Sequence, residues 1–169
     1  VTVDGKQSTG TIKKLNGFLT FDGPFDPDAL KALRPDFWRT SWFMYRDPDK
    51  GLSTYQSFKQ ANPNVKVTFI LGDDSSKDLW RDGTKWEEFV KAHFAISKQL
   101  NMPYDYWDIW SEPNSDFFFT GSREQFYEVV KRTIQTGRSV DPQAKFAAPS
   151  VAGFYDDIGL NADKKHAVF

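Results

Sequence analysis

The feature that most constrains this chain is an alternation, in which short runs of strand chemistry take turns with longer runs of helical period. Strands are expected at Leu15–Phe21, Phe37–Phe43, Val65–Leu71, Tyr104–Trp110 and Lys145–Ala148. The clearest is VKVTFIL at Val65–Leu71, stopped by Gly72-Asp73-Asp74. Asp26-Pro27 reads as an N-cap and first helical position, opening a helix to about Leu33. Ser53-Thr54-Tyr55-Gln56 and Thr84-Lys85-Trp86-Glu87 read as capping boxes, and Ser122-Arg123-Glu124-Gln125 caps a further helix. Behind Thr84, the residues Trp86, Phe89, Val90, His93, Phe94, Ser97 and Leu100 recur at helical spacing. Phe126, Val129, Val130, Thr133, Ile134 and Gly137 do the same behind Ser122. Asn62-Pro63 and Asp141-Pro142 end helices, because the residue before a proline disfavours helical backbone.

Five strands and four helices in strict βαβα order predict an α/β fold with parallel strands. No repeat, low-complexity tract or linker divides the chain, so it reads as one unit. Right-handed crossovers would bring every strand's C-terminal end to one edge, where such folds place their ligands. An open doubly wound sheet and part of a (β/α)₈ barrel both satisfy the pattern. No Gly-rich phosphate loop follows a strand, which argues against a nucleotide-binding doubly wound sheet. The barrel predicts the strand order 1-2-3-4-5, with Glu112, Arg39 and Asp73 near one rim.

Charge and composition narrow the function classes. Lys and Arg total 22 against 23 Asp and Glu, so there is no electrostatic footprint for nucleic acid. No run approaches the roughly 18 apolar residues of a membrane span. Cysteine is absent, which excludes disulfides and thiolate metal sites but leaves the compartment open. His93 and His166 are too far apart to suggest zinc, and no cofactor is expected. Six Trp, six Tyr and 16 Phe could furnish a sugar-stacking cleft, although a core absorbs most such rings.

Chemistry concentrates in Trp107-Asp108-Ile109-Trp110-Ser111-Glu112-Pro113-Asn114, at the end of the fourth strand. A carboxyl group just past a strand end, beside Trp110 and fixed by a Glu-Pro step, is suited to acid/base work. Partial burial against aromatics keeps a carboxyl protonated to higher pH, so that it can protonate a leaving oxygen. A plain Glu-Pro turn after a buried strand fits the same residues. Arg39, with Trp38 and Trp42 on the same strand, is either an active-site cation or half of a structural ion pair. Asn114 orients the Glu112 loop, contacts sugar or merely forms a turn. Trp42, Tyr45, Trp80 and Phe117–Phe119 follow strand ends, as stacking platforms or as loop anchors. Trp107 and Trp110 cannot both face one side of an alternating strand. Trp110 shares parity with Glu112 and is the barrel-side candidate. His93, amid Phe89, Val90 and Phe94, reads as packing.

The octapeptide WDIWSEPN resembles the fourth-strand signature of clan A glycoside hydrolases and is most similar to the WxxWNEPN form of family 39. Arg39 in the second-strand segment and Ala148-Pro149-Ser150-Val151-Ala152-Gly153 at the fifth-strand exit extend the resemblance. It implies a (β/α)₈ barrel, no cofactor, a carbohydrate substrate and Glu112 as general acid/base. Arg39 would support the catalytic carboxylates, and Ser111, Trp110, Asn114, Trp42 and Asp73 would line the substrate site. Ser111 stands where the clan usually has the Asn that hydrogen-bonds the sugar 2-hydroxyl, and its shorter side chain weakens that contact.

A retaining glycosidase needs a second carboxylate, which the resemblance puts at the seventh strand. Glu87, Glu88, Glu124 and Glu128 lie in the expected helices, and Asp22, Asp47, Asp73 and Asp74 follow strands one to three. A full barrel takes about 250 residues. Residues 1–169 are therefore expected to form the N-terminal portion of one, about five βα units. The remaining half, with the nucleophile, would lie in the same or a second chain. The expected activity is retaining hydrolysis of O-glycosidic bonds in a polysaccharide or glycoside. A non-catalytic carbohydrate-binding barrel is the alternative, and an unrelated open α/β binding domain the third.

Overall fold

The computed structural model describes residues 16–19, 26–41, 47–73, 78–147 and 149–151. Among the described residues the elements run β1 (Gly17–Leu19), α1 (Pro27–Leu33), β2 (Phe37–Ser41), α2 (Pro48–Ala61), β3 (Lys66–Gly72), α3 (Gly83–Gln99), β4 (Tyr106–Trp110), α4 (Arg123–Val140) and β5 (Phe146–Ala147). A 3₁₀ turn at Leu79–Arg81 precedes α3. All the strands pair in parallel, in the order β1-β2-β3-β4-β5. This is the sequential order of a barrel wall, and the 2-1-3-4-5 order of a doubly wound sheet is excluded. The register pairs Ser41 with Ile70, Ile70 with Asp108 and Asp108 with Ala147, so the strand exits advance together.

Local chemistry explains where the helices begin. The Asp26 carboxylate accepts a hydrogen bond from the Asp28 amide at 3.0 Å, and Pro27 occupies the first turn, where its missing N–H costs nothing. The same pair opens α2: Asp47 accepts from the Lys50 amide at 3.1 Å, ahead of Pro48. The expected capping box at Ser53–Gln56 is thus corrected. Those residues lie inside α2, where the Ser57 hydroxyl donates back to the Ser53 carbonyl at 2.9 Å. Thr84 is not a cap either; Asp82 takes that place, accepting from the amides of Thr84 and Lys85. Ser122 caps α4 as expected, and the Gln125 side chain reciprocates to complete a capping box. Asn62 and Asp141 end α2 and α4 ahead of their prolines.

The core lies between the sheet and its helices and is largely aromatic. Trp38 of β2 stacks on Phe58 of α2 with centroids 4.1 Å apart, and Trp107 of β4 stacks on Phe94 of α3 at 4.0 Å. Fully burying such side chains contributes about 2–3 kcal/mol each, and each pair a further ~1 kcal/mol. The Trp86 indole N–H donates to the Thr133 hydroxyl at 2.8 Å, and that hydroxyl donates to the Val129 carbonyl at 2.7 Å, tying α3 to α4. His93 is buried beneath Phe89 and Phe69 as the packing reading expects, and desolvation pushes its pKa down, so it stays neutral.

Gly72 pairs with Trp110 at the rim, and a Cβ there would lie 2.1 Å from the indole Cε3. The glycine is what lets the ring cross the strand end. Gly72→Ala is expected to cost about 2 kcal/mol through overpacking. Gly83→Ala would meet the flexible end of Arg132 and should cost less than about 0.5 kcal/mol. Urea unfolding of both variants checks the contrast.

Candidate functional site

The backbone just past the strand ends is stitched together by hydrogen bonds among Gly72, Ser111, Glu112, Ser115 and Ser150. The Ser111 amide donates to the Gly72 carbonyl at 2.8 Å, and Ser111 forms a parallel bridge with Ser150. The Glu112 amide then donates to the Ser150 carbonyl at 2.8 Å, while the Glu112 carbonyl accepts from the Ser115 amide at 2.9 Å. The exits of β3, β4 and β5 therefore converge on Glu112. Its φ of 48° lies in the left-handed region, which a side chain beyond glycine rarely adopts. Such a conformation costs about 1–3 kcal/mol and persists where the surroundings over-determine it. The residue is half-buried at the C-terminal edge of the sheet, the edge at which barrels place their chemistry.

Beneath this rim lies an ion pair. Trp38, Phe69 and Trp107 touch helix-borne rings, so alternation turns Arg39 and Asp108 to the opposite face of the sheet. There the Arg39 Nε and Nη2 both donate to Asp108 Oδ2, at 2.9 and 2.7 Å, and Nη2 also donates to the Ser150 hydroxyl at 2.7 Å. The other Asp108 oxygen accepts from the Trp110 amide at 3.2 Å. Asp108 is 3% exposed. Burial pushes its carboxyl above the usual range, against the opposing pull of the Arg39 guanidinium and the Trp110 amide. Of the two roles open to Arg39, the structural ion pair is present, and Ser150 links that pair to the Glu112 backbone.

The other candidates divide. Ser111 is half-buried beside Glu112, and Asn114 and Asp73 are buried at the same edge, following β4 and β3. Trp110 needs correction as a substrate platform. Its side chain is 0% exposed, its ring lies against Trp86, Phe119 and Phe126, and its indole N–H donates to the Phe118 carbonyl at 3.2 Å. Strand parity predicts the barrel side, but the missing side chain at Gly72 lets the ring fold into the core instead. Trp80 and Phe119 are buried loop anchors whose rings meet at a tilt of 38°, whereas Phe117 is 62% exposed. Trp42 and Tyr45 lie outside the described residues, as do Asp22 and Asp74. Asp47 is spent on capping α2, and Glu87, Glu88, Glu124 and Glu128 sit on α3 and α4. Among the described residues no cluster of three or more His, Asp or Glu is placed to hold a metal.

Sequence reasoning missed Asp108 and Ser150 as site residues. Asp108 carried a signal, since an acid amid apolar strand residues must be paired when buried. Ser150 lies in the Ala148–Gly153 run at the fifth-strand exit, but that run does not reveal its role, which comes from a carbonyl and a hydroxyl brought across the sheet.

No family model matches the sequence, and no curated protein matches it. Solved structures do resemble it. A glucosidase from Croceicoccus marinus aligns with a TM-score of 0.64 over 86% of this chain at 16% identity. The chitinase-like agglutinin RobpsCRA from Robinia pseudoacacia aligns with a TM-score of 0.53 over 80% at 12% identity. The fold is of the (β/α)₈-barrel type, a wall of five parallel strands with helices between them among the described residues. The chain spans 39% and 46% of the lengths of those two proteins. At these identities the likeness is one of fold alone.

The ion pair sets a pH dependence. The folded pKa of Asp108 lies above the unfolded value of about 3.9, so its contribution to stability is fully present below that value. It is lost as pH rises through the folded pKa. Arg39→Met removes the cation that restrains this rise and should cost about 3 kcal/mol at pH 7. The cost should shrink as pH falls toward 4, because burial raises the carboxyl's pKa and helps it take up a proton. Urea unfolding at the two pH values measures the difference, and equal costs would overturn this account.

Proposed function

We propose that this chain is the acid/base-bearing part of a retaining glycoside hydrolase, with Glu112 as general acid and then general base. The observation that carries the reading is Glu112 itself, a half-buried carboxyl at the β4 exit on a left-handed backbone that two flanking hydrogen bonds maintain. The resemblance of WDIWSEPN to family 39 and the fold likeness to a glucosidase support it. In the first half-reaction the bond from the anomeric carbon to the leaving oxygen breaks. The Glu112 proton passes to that oxygen, while a carboxylate from the rest of the barrel, in the same or a second chain, bonds to the anomeric carbon. In the second, Glu112 takes a proton from water, whose oxygen displaces the carboxylate and releases the sugar. The substrate class is a polysaccharide or glycoside. Ser111, Asn114 and Asp73 line the sugar side of this rim, and the Arg39–Asp108 pair supports it from below. The likeness to an agglutinin favours a second reading, a carbohydrate-binding barrel that does not turn its ligand over.

Glu112→Gln in the protein carrying the complete barrel should nearly abolish cleavage of substrates with poor leaving groups. Activated aryl glycosides need little protonation, so their first step should suffer far less, and azide should restore turnover. Uniform loss without azide rescue would falsify the acid/base role. Absence of turnover on every glycoside, with sugar binding retained, would favour the binding barrel.

Ser111 takes the place of an asparagine whose amide contact to the 2-hydroxyl strengthens in the transition state. Serine's shorter reach makes that contact weak. Ser111→Ala should therefore lower kcat/KM by about tenfold or less, since ~1.4 kcal/mol is one decade. Preference between 2-hydroxy and 2-deoxy substrates should hardly change. A loss of several decades confined to the 2-hydroxy substrate would show that serine does the asparagine's work.

A further inference from the structure

We infer that Ser150 is the positioning residue for Glu112, with its carbonyl gripping the Glu112 amide and its hydroxyl anchored by Arg39. The inference rests on the acid/base reading of Glu112 and goes beyond it by naming what keeps that residue in place. A left-handed, pre-proline backbone relaxes unless it is held, because the extended region is open to any residue before proline. The hold on the amide side is a single hydrogen bond of 2.8 Å to the Ser150 carbonyl. That carbonyl belongs to a residue beyond β5, a strand of only two residues, Phe146–Ala147, so apart from its isolated bridge to Ser111 the sheet ladder gives it little support. The tertiary support comes through the Ser150 hydroxyl, which accepts from Arg39 Nη2 at 2.7 Å. Arg39 is itself pinned, with two donors on one oxygen of the buried Asp108. The chain of contacts thus runs from a buried carboxylate on β4, through a guanidinium on β2, to the serine past β5, and back to the residue that follows β4. Each link is a charge-assisted or backbone hydrogen bond, and both kinds are strongly directional. The path closes a ring across the sheet, so a shift at Ser150 moves the Glu112 amide directly.

The test uses the protein with its complete barrel and compares Ser150→Ala with Ser150→Thr. A misplaced acid fails most where protonation matters. Ser150→Ala should therefore lower kcat for poor leaving groups by about ten- to a hundredfold, with KM little changed and activated aryl glycosides nearly unaffected. Ser150→Thr keeps the hydroxyl and should restore kcat to within about threefold of wild type. By NMR, the Glu112 amide proton should exchange about tenfold faster in Ser150→Ala than in wild type. Should Ser150→Ala fail to fold, Ser150→Cys, with a weak acceptor of similar shape, replaces it with the same expectations. Equal losses on both substrate types, without rescue by threonine, would show a merely structural serine and overturn the proposal. So would selective loss in Glu112→Gln with none in Ser150→Ala. If Glu112→Gln shows no leaving-group selectivity, the acid/base reading falls with the catalytic half of this proposal. Amide exchange at Glu112 then decides alone whether Ser150 holds it.

Discussion

A carboxylate taken out of water needs a counter-ion with good geometry, and in this chain that requirement ties three strands together. Asp108 is buried on the sheet face opposite the helices, and its partner Arg39 reaches it from β2 across the intervening β3. The ion pair by itself is weak evidence of stability, because desolvation consumes much of the Coulomb gain. Its consequence is geometric. A guanidinium with Nε and Nη2 both committed to one carboxylate oxygen has few orientations left, and Nη2 then also fixes Ser150. Position is passed from a buried point to the rim, where the candidate catalytic residue sits.

The rim rests in turn on the layer beneath the helices. Trp110 fills the space left by Gly72 and joins Trp86, Phe119 and Phe126 in the core, so the β4 exit is anchored on the side away from Asp108. The strand end is therefore held on both faces, by aromatic packing on one and by ions on the other. Glu112 leaves this anchored segment directly, and the strain in its backbone can be sustained because its neighbours cannot yield. Close-packed interiors transmit small displacements rather than absorbing them, which is how a core ring comes to matter for a residue at the surface.

Much of the architecture was legible in the chain, and the reasons are local. Strand chemistry at Val65–Leu71 and the helical recurrence of Trp86, Val90, Phe94 and Ser97 follow from periodicity, which needs no partner to be read. Helix starts were legible only where a single cap was on offer, as at Asp26 and Ser122. Where two candidates competed, the choice went to the aspartates: Asp47 over Ser53 and Asp82 over Thr84. The Asp47-Pro48 pair repeats the chemistry of Asp26-Pro27. The sheet order followed from βα alternation, because parallel neighbours need a crossover and a barrel wall takes them in sequence.

For the candidate site the division is sharper. The sequence by itself determined that Glu112 follows the fourth strand, that Pro113 stiffens its exit, and that Arg39 lies on a strand rather than a helix. These are one-dimensional facts about neighbours along the chain. Only the tertiary structure decided that Arg39 meets Asp108, that Trp110 turns into the core, and that Ser150 grips Glu112 in a left-handed conformation. Those outcomes depend on groups 38 to 111 positions apart in sequence, from Gly72 and Trp110 to Arg39 and Ser150, whose approach is set by strand register and by a glycine's missing side chain. Periodicity indicates which face a residue takes; the residue it meets there is settled when the sheet closes and the core fills.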